Sequence, residues 1–284
     1  MKVIRAKVLG YCMGVRRAMD MAGAELRKAG GRRVYTMGPL IHNPQALEGL
    51  KKAGVEVLDE ARFPDKLEDS VVIIRAHGIS PRLEEELIRR GTRLADATCP
   101  KVKASQLKAR ALSQEGWRIF LAGERQHGEI IGILGYAPDC IVAANREEAE
   151  QAAGALFRED PRAKTALMGQ TTIAPDLYRA IGEGIRQFFP GLHSLDTLCG
   201  AAPQDALKEL CSRVDAVIVA GGRQSANTRR LLDIARARGK PAWLVETSAE
   251  LPPEIASYPV VGLSAGASTP DKIIDDIERT LLSL

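Results

Sequence analysis

Three cysteines in this chain of 284 residues have the type and spacing to hold a metal centre. Cys12, Cys99 and Cys199 each follow a strand-like segment and precede a helix-like one, at nearly equal intervals. Thiolates are soft ligands that suit zinc, copper(I) or an iron–sulfur cluster. Four protein ligands close a structural site, whereas three leave a position for substrate. We therefore predict a metal or cluster site with one open side.

The remaining cysteines, Cys140 and Cys211, have no counterparts at equivalent points of the chain, and we interpret both as structural. The N-terminus lacks the apolar run of a signal peptide. An odd count of five cysteines in a chain without such a leader disfavours a disulfide framework. Metal or redox use of the three regularly spaced thiols is the better interpretation.

Polar residues with hydrogen-bond donors recur at the predicted strand ends. His42, His77 and His127 lie at such ends, and Ser225, Asn227 and Ser268 occupy later equivalents, whereas His193 lies at a strand start and is incidental. Glycine-rich turns that run into helix N-termini add backbone N–H groups and positive dipole ends. This combination suits a phosphate or diphosphate held without a Walker lysine.

One carboxylate, Glu129, lies two residues beyond a candidate site histidine, in His127-Gly128-Glu129. A carboxylic acid there can deliver protons if its pKa is raised. The alternative is an ordinary surface glutamate at a helix start. Thr171 and Thr172 could relay a proton or cap a helix.

Short apolar runs, such as those at 70–74, 118–122 and 216–220, alternate with longer segments of helical period, such as 15–29, 101–115 and 227–239. This alternation predicts an α/β fold with mostly parallel sheets. The features above recur three times in the same order, so we expect a trefoil of three pseudo-symmetric α/β domains around a central site. The predicted domains span residues 13–98, 99–198 and 199–284, and residues 1–12 pack as the N-terminal strand of the last one. Ligands bind beyond the carboxyl ends of parallel strands, where all these side chains lie.

Composition excludes several classes of partner. The formal net charge of +4, from 40 basic and 36 acidic residues, is slight, and the basic residues are scattered, so we expect no nucleic acid. No stretch reaches the ~18 uninterrupted apolar residues of a membrane helix, so we expect a cytoplasmic protein that does not associate with a membrane.

The motifs together resemble those of the 4-hydroxy-3-methylbut-2-enyl diphosphate reductases, and the resemblance runs nearly end to end. The matching segments are Gly10-Tyr11-Cys12-Met13-Gly14-Val15, Ile41-His42-Asn43, Ala76-His77-Gly78, Asp96-Ala97-Thr98-Cys99-Pro100, Gln170-Thr171-Thr172, Ser225-Ala226-Asn227 and Ala265-Gly266-Ala267-Ser268. The Asp-Ala-Thr-Cys-Pro and Ala-Gly-Ala-Ser segments are the most specific.

The resemblance implies a trefoil around a [4Fe–4S] cluster with three cysteine ligands and one iron open to substrate. The implied reaction removes the hydroxyl of the allylic diphosphate as water and gives isopentenyl and dimethylallyl diphosphate. Ferredoxin or flavodoxin is the implied electron donor. The residues that match the family's site are Cys12, Cys99 and Cys199 as ligands, His42, His77, His127, Thr171, Ser225, Ala226, Asn227 and Ser268 around the substrate, and Glu129 as proton donor with Thr171 and His127 beside it.

Three positions depart from the family pattern. Gly128 replaces the usual proline of His-Pro-Glu, which we expect to loosen the backbone beside the acid. Ala226 replaces a serine and removes one possible diphosphate hydroxyl. The segment after Cys199 lacks the usual Ala-Thr followed by Arg-Gln, which motivates an alternative: a redox sensor or diphosphate-binding relative that keeps the cluster without turnover. A zinc hydrolase that uses the same thiols and histidines is a third hypothesis.

Overall fold

The structure is a computed structural model of the full chain. It describes residues 1–41, 43–60, 62, 64, 67–199 and 202–284.

Within these residues, twelve strands and ten α-helices alternate along most of the chain. The strands are β1 (Lys2–Arg5), β2 (Arg33–Met37), β3 (Val55–Leu58), β4 (Ser70–Ile74), β5 (Arg93–Asp96), β6 (Arg118–Ala122), β7 (Ile141–Ala143), β8 (Thr165–Gly169), β9 (His193–Ser194), β10 (Ala216–Ala220), β11 (Ala242–Val245) and β12 (Val260–Ala265). The helices are α1 (Met13–Lys28), α2 (Pro44–Lys52), α3 (Pro81–Arg89), α4 (Pro100–Gln114), α5 (Gly128–Tyr136), α6 (Arg146–Glu159), α7 (Pro175–Arg186), α8 (Ala202–Cys211), α9 (Ala226–Ala237) and α10 (Asp271–Ser283). Two short 3₁₀ helices cover Ser248–Glu250 and Pro253–Ser257.

The described strands form three parallel four-stranded sheets, which confirms the predicted α/β class. The chain divides into two compact units. The first unit comprises Met1–Glu60 and Gly200–Leu284, and the second comprises Ala61–Cys199. No helix in the described part of the chain is both long and apolar enough to cross a membrane.

The first unit contains the sheet ordered β1-β12-β10-β11 and the parallel pair β2–β3. β1 pairs with β12 in the register Lys2↔Val260, so the first strand lies in the sheet of the C-terminal segment. Side chains alternate along β10: Val217 and Val219 pack with α8 and α9 on one face, whereas Ile218 packs with α10 on the other. A strand buried on both faces needs the continuous apolar run that β10 has.

The second unit contains the sheet ordered β7-β6-β8-β9 and the parallel pair β4–β5. Phe120 of β6 packs with α6 and α7, whereas Ile119 and Leu121 pack with α4 and α5 on the opposite face. Helices therefore cover both faces of this sheet as well.

The two complete sheets share one topology. The orders can be read as β11-β10-β12-β1 and β7-β6-β8-β9. In each sheet the second strand, β10 or β6, is the first strand after a helix that follows a predicted cysteine ligand, and the edge strand, β1 or β9, leads to such a cysteine. Since all pairings are parallel, the segments that follow the strands within one sheet emerge at the same edge. In each of the two sheets, this edge carries predicted site residues. They are Cys12, Ser225 and Ser268 in the first unit and His127, Glu129, Thr171 and Cys199 in the second.

Candidate active site

In the second unit, predicted site residues follow three neighbouring strands. His127 and Glu129 follow β6, Thr171 follows β8, and Cys199 follows β9. The common direction of the strands gathers these residues beyond the carboxyl edge of the sheet, where ligands of open α/β sheets bind. Hydrogen bonds then join all four in sequence, from His127 through Glu129 and Thr171 to Cys199.

Glu129 and Thr171 form a buried pair. The Thr171 backbone N–H donates to Glu129 Oε1 at 2.8 Å, and its hydroxyl Oγ1 donates to Oε2 at 2.9 Å. Glu129 is 1% exposed and Thr171 is 5% exposed. The alternative of a surface glutamate is therefore wrong, although Glu129 does lie in the first turn of α5.

The environment of Glu129 favours its protonated form. Burial raises its pKa from 4.5 to about 7, and the two hydrogen bonds from Thr171 oppose the shift. Desolvation dominates because the charged form loses its hydration in the interior. An acid with a pKa near neutrality can hold a proton and release it under cellular conditions.

Thr171 also connects this acid to a predicted metal ligand. Its carbonyl oxygen accepts the backbone N–H of Cys199 at 2.7 Å. Burial raises the pKa of the Cys199 thiol, a hydrogen bond with Thr171 lowers it, and the nearby Cys99 raises it. Cys99 itself precedes α4, and its N–H donates to Ala76 O at 2.9 Å. The two predicted ligands of the second unit thus lie near each other, and Cys199 is connected to the buried acid pair.

The rings of His77 and His127 meet edge to face, with 5.2 Å between their centroids and 86° between their planes. His127 caps α5, since its Nδ1 accepts the N–H of Glu129 at 3.2 Å. That bond leaves the proton of a neutral ring on Nε2, where it can donate to a ligand. The two predicted histidines therefore lie together beside the acid.

Close packing between α5 and the turn after β4 holds these rings in place. A Cβ on Gly132 would lie 3.1 Å from the His77 carbonyl oxygen, and a Cβ on Gly135 would lie 2.3 Å from Ser80 Cβ. Only glycine permits this approach. Glycines at positions 128, 132 and 135 share one face of the helix. This spacing is visible in the sequence but was not among the predicted features.

Two further neighbours were not predicted. Gln106 of α4 is fully buried, and its Nε2 donates to His77 O at 3.4 Å. Its Oε1 has no hydrogen-bond partner among the described residues. Arg75, just before the Ala76-His77-Gly78 turn, places its guanidinium against Gly128. No sequence motif marks either contact, because both depend on how α4, α5 and β4 pack.

In the first unit, Cys12, Ser268 and Ser225 follow the neighbouring strands β1, β12 and β10. The N–H of Cys12 donates to Ala267 O at 3.0 Å, which brings the thiol segment against the segment of Ser268. Cys12 Sγ caps α1 by accepting the N–H of Val15 at 3.5 Å. The sheet topology therefore collects a candidate thiol and two hydroxyl residues at one edge.

The start of α9 offers donors to an anion. Ser225 is buried and caps the helix, accepting the N–H of Thr228 at 3.3 Å. Asn227 has a buried Nδ2 that lacks a hydrogen-bond partner within the described part of the chain. Ala226, between them, is exposed and offers no hydroxyl. A bound anion would supply the acceptor that the amide of Asn227 needs.

Two predicted features lie outside the described residues. His42, expected to bind the diphosphate, is one of them, and the neighbouring Asn43 caps α2 through Ala46 N–H at 3.0 Å. The unusual segment directly after Cys199 includes residues 200 and 201, which are also outside.

The three predicted ligands are thiols, the ligand type that iron–sulfur groups take. Cys12, Cys99 and Cys199 are all free cysteines, and the first two stand at helix N-termini, where a thiolate is stabilised. Across the residues that the structure describes, no three His, Cys, Asp or Glu side chains lie together as one metal ion would require. A cluster sets a different requirement, because each thiolate binds its own iron atom.

The fold and this geometry define a class: an α/β protein of parallel sheets, with a buried protonatable acid and free thiols at the carboxyl ends of its strands. The chain belongs to the LytB protein family, whose sequence profile matches residues 3–282. This family is one of iron–sulfur enzymes.

Relatives match over the whole chain. A 4-hydroxy-3-methylbut-2-enyl diphosphate reductase of Treponema denticola is 46% identical over 296 residues, covering 99% of each chain. The enzyme of the same name from Desulfovibrio desulfuricans is 39% identical and covers 100% of both. The solved structure of the Plasmodium falciparum E-1-hydroxy-2-methyl-but-2-enyl-4-diphosphate reductase superposes with a TM-score of 0.87 at 27% identity, covering 98% of this chain and 87% of that one.

Proposed function

We propose that this protein reduces (E)-4-hydroxy-3-methylbut-2-enyl diphosphate to isopentenyl and dimethylallyl diphosphate. Two electrons and two protons are consumed, the carbon–oxygen bond of the allylic alcohol breaks, and the hydroxyl leaves as water. The observation that carries the proposal is the buried Glu129–Thr171 pair, connected through Thr171 to Cys199.

The proposed cofactor is a [4Fe–4S] cluster with Cys12, Cys99 and Cys199 as its protein ligands. When bound, such a cluster with one iron free of protein ligands supplies single electrons and a Lewis-acidic position. Ferredoxin or flavodoxin in the cytoplasm is the proposed electron donor. The remaining chemistry falls to the side chains of this chain.

The proton source in the proposal is Glu129. A pKa of about 7 leaves much of the acid protonated near neutrality, so it can give a proton to the departing hydroxyl. The Thr171 hydroxyl donates to Glu129 Oε2. It can relay a proton by accepting one from the acid while it gives its own hydroxyl proton to the substrate. Protonation matters because hydroxide is a poor leaving group, whereas water is a good one.

The diphosphate is proposed to bind the imidazoles and the start of α9. His42, His77 and His127 supply ring N–H donors, and Ser225, Asn227 and Ser268 supply hydroxyl and amide donors. The positive end of the α9 dipole adds to their attraction for the anion. Ala226 can contribute only its backbone N–H. Anchoring this remote group orients the hydroxyl toward the acid.

The decisive experiment is an assay of protein purified without oxygen. Iron and acid-labile sulfide are measured first, and then turnover of the allylic diphosphate with a reduced one-electron donor. We expect iron, sulfide and both isoprenoid diphosphates. Cluster and diphosphate binding without product would instead favour the sensor alternative, and zinc without iron or sulfide would favour the hydrolase alternative.

A further inference from the structure

The first turn of α5 is unusual because its backbone is bare on one side. Gly128 opens the helix between His127 and Glu129, and Gly132 follows one turn later on the same face. Glycine costs about 1 kcal/mol relative to alanine inside a helix because it leaves the backbone flexible and uncovered. This flexibility falls on the turn that carries the candidate acid and one candidate histidine.

The guanidinium of Arg75 covers that bare backbone. A Cβ built on Gly128 would lie 3.3 Å from both Cζ and Nη2 of Arg75 and 3.5 Å from its Nε. The planar group therefore lies so close to Gly128 that a Cβ at this position would require it to shift by a few tenths of an ångström. Nε of Arg75 is buried, and the side chain as a whole is half-buried.

Arg75 is well placed to transmit this contact. It directly follows β4, and the turn it begins is closed by the hydrogen bond from Gly78 N–H to Arg75 O at 2.9 Å. His77, inside that turn, contacts the His127 ring. One residue thus supports both the turn that holds His77 and the helix start that holds His127 and Glu129.

We propose that Arg75 is a positioning residue: by packing against Gly128 it fixes the first turn of α5, and so keeps His127 and Glu129 in register with His77. This inference rests on the proposed function for its effect on turnover. Its geometric part concerns only the second unit and can be tested without substrate.

The test is a double-mutant cycle of Arg75→Ala and Gly128→Ala, with kcat measured at saturating substrate. Arg75→Ala uncovers the glycine and should lower kcat about tenfold, because misplaced catalytic groups are costly. Gly128→Ala alone forces the guanidinium aside and should lower kcat about twofold to threefold. In the Arg75→Ala background the same methyl covers the backbone and should raise kcat by a similar factor. The effect of Gly128→Ala on kcat thus changes from a decrease to an increase.

A second readout does not need turnover. The chain has four histidines, so their ring protons can be resolved by NMR. We expect cross-peaks between the His77 and His127 rings in the unsubstituted protein, their loss in Arg75→Ala, and their return in the double variant. Arg75→Lys should keep part of the contact, because lysine retains the length and charge without the planar group.

Matched controls separate the contact from general effects. Arg110→Ala removes an exposed arginine of α4, and Gly49→Ala adds a methyl where nothing lies within 4 Å. Both should leave kcat and the histidine cross-peaks unchanged. Independent, multiplicative effects of Arg75→Ala and Gly128→Ala on kcat, with cross-peaks intact in Arg75→Ala, would overturn the inference. Absence of turnover in the unsubstituted protein would overturn the proposed function, and the cross-peaks would still decide the role of Arg75.

Discussion

At the scale of single residues, Glu129 is the acid whose surroundings explain most about the site. It is buried, and its carboxylate accepts two hydrogen bonds from one threonine, while no cation among the described residues pairs with it. A structural carboxylate of the interior is normally paired with a positive charge, which would lower its pKa. Burial with donors alone keeps this carboxyl protonatable, as proton transfer requires.

Replacing Glu129 with glutamine should remove the proton while preserving shape and burial. We expect Glu129→Gln to lower kcat at least about a hundredfold, the range typical of a lost general acid, and to keep its iron and sulfide. Turnover and iron content are measured on the same preparation. Glu147→Gln, at the exposed first turn of α6, is the matched control. Near-normal kcat in Glu129→Gln would remove the role assigned to the acid.

The pH dependence follows from the same carboxyl. Because the acid acts when protonated, kcat should fall as the pH rises through about 7, where Glu129 ionises. The Thr171 hydroxyl stabilises the ionised form, so Thr171→Val should raise the pKa of Glu129 and move the falling limb to higher pH. Thr280→Val, in α10, should leave the limb in place. A limb that moves to lower pH in Thr171→Val would contradict this account.

At the scale of elements, the glycine face of α5 decides how closely helix and turn approach. Gly132 lies over the His77 carbonyl and Gly135 over Ser80, the residue that caps α3. Neither position leaves room for a methyl group. The contact sets the separation between the histidine turn and the helix that carries the acid, so small residues in α5 serve the site without touching a substrate.

A methyl group at Gly135 should therefore destabilise the fold. Its Cβ would lie 2.3 Å from Ser80 Cβ and 2.8 Å from Ser80 Cα, so backbone has to move. We expect Gly135→Ala to lower the free energy of unfolding by about 2 kcal/mol or more, as overpacking does. Gly49→Ala, in the exposed α2, should instead raise it by about 0.5 kcal/mol. Urea unfolding measures both, and equal effects would refute the close contact.

The elements were largely predictable from local pattern. The apolar runs at 70–74, 118–122 and 216–220 are observed as β4, β6 and β10, because β-branched runs bounded by turns have few alternatives. The helical segments predicted at 15–29 and 101–115 correspond to α1 and α4 within two residues. Cys211, interpreted as structural, is buried at the end of α8.

The site was only partly predictable. The strand-end position of His77, His127, Glu129 and Thr171 follows from the repeat, since topology fixes which segments share an edge. The direct bond between Glu129 and Thr171, the Gln106 contact and the Arg75 contact depend on side-chain packing between distant elements. At Gly128 local reasoning predicts only a looser backbone, because it does not identify the neighbour that fills the space.

At the scale of the whole molecule, a cofactor that binds only the native state should stabilise it. Cluster-loaded protein should unfold at a higher temperature than protein stripped of iron, since binding to the folded state shifts the folding equilibrium. Cys99→Ala should lose iron, sulfide and this gain together. Cys140→Ala is the control because Cys140 is a half-buried cysteine outside the proposed ligand set, and burial raises the pKa of its thiol to about 12. Full iron content in Cys99→Ala would disprove its assignment as a ligand.

The pairing of β1 with β12 has a consequence for the order in which the molecule forms. Residues 2–5 leave the ribosome long before their partner strand, residues 260–265, is synthesised. During translation the N-terminal strand therefore waits with an unpaired edge, and such long-range parallel pairing is slow. Cys12 lies seven residues beyond this strand, so its position also depends on completion of the sheet. Cluster insertion that involves Cys12 should accordingly follow the synthesis of β12 rather than precede it.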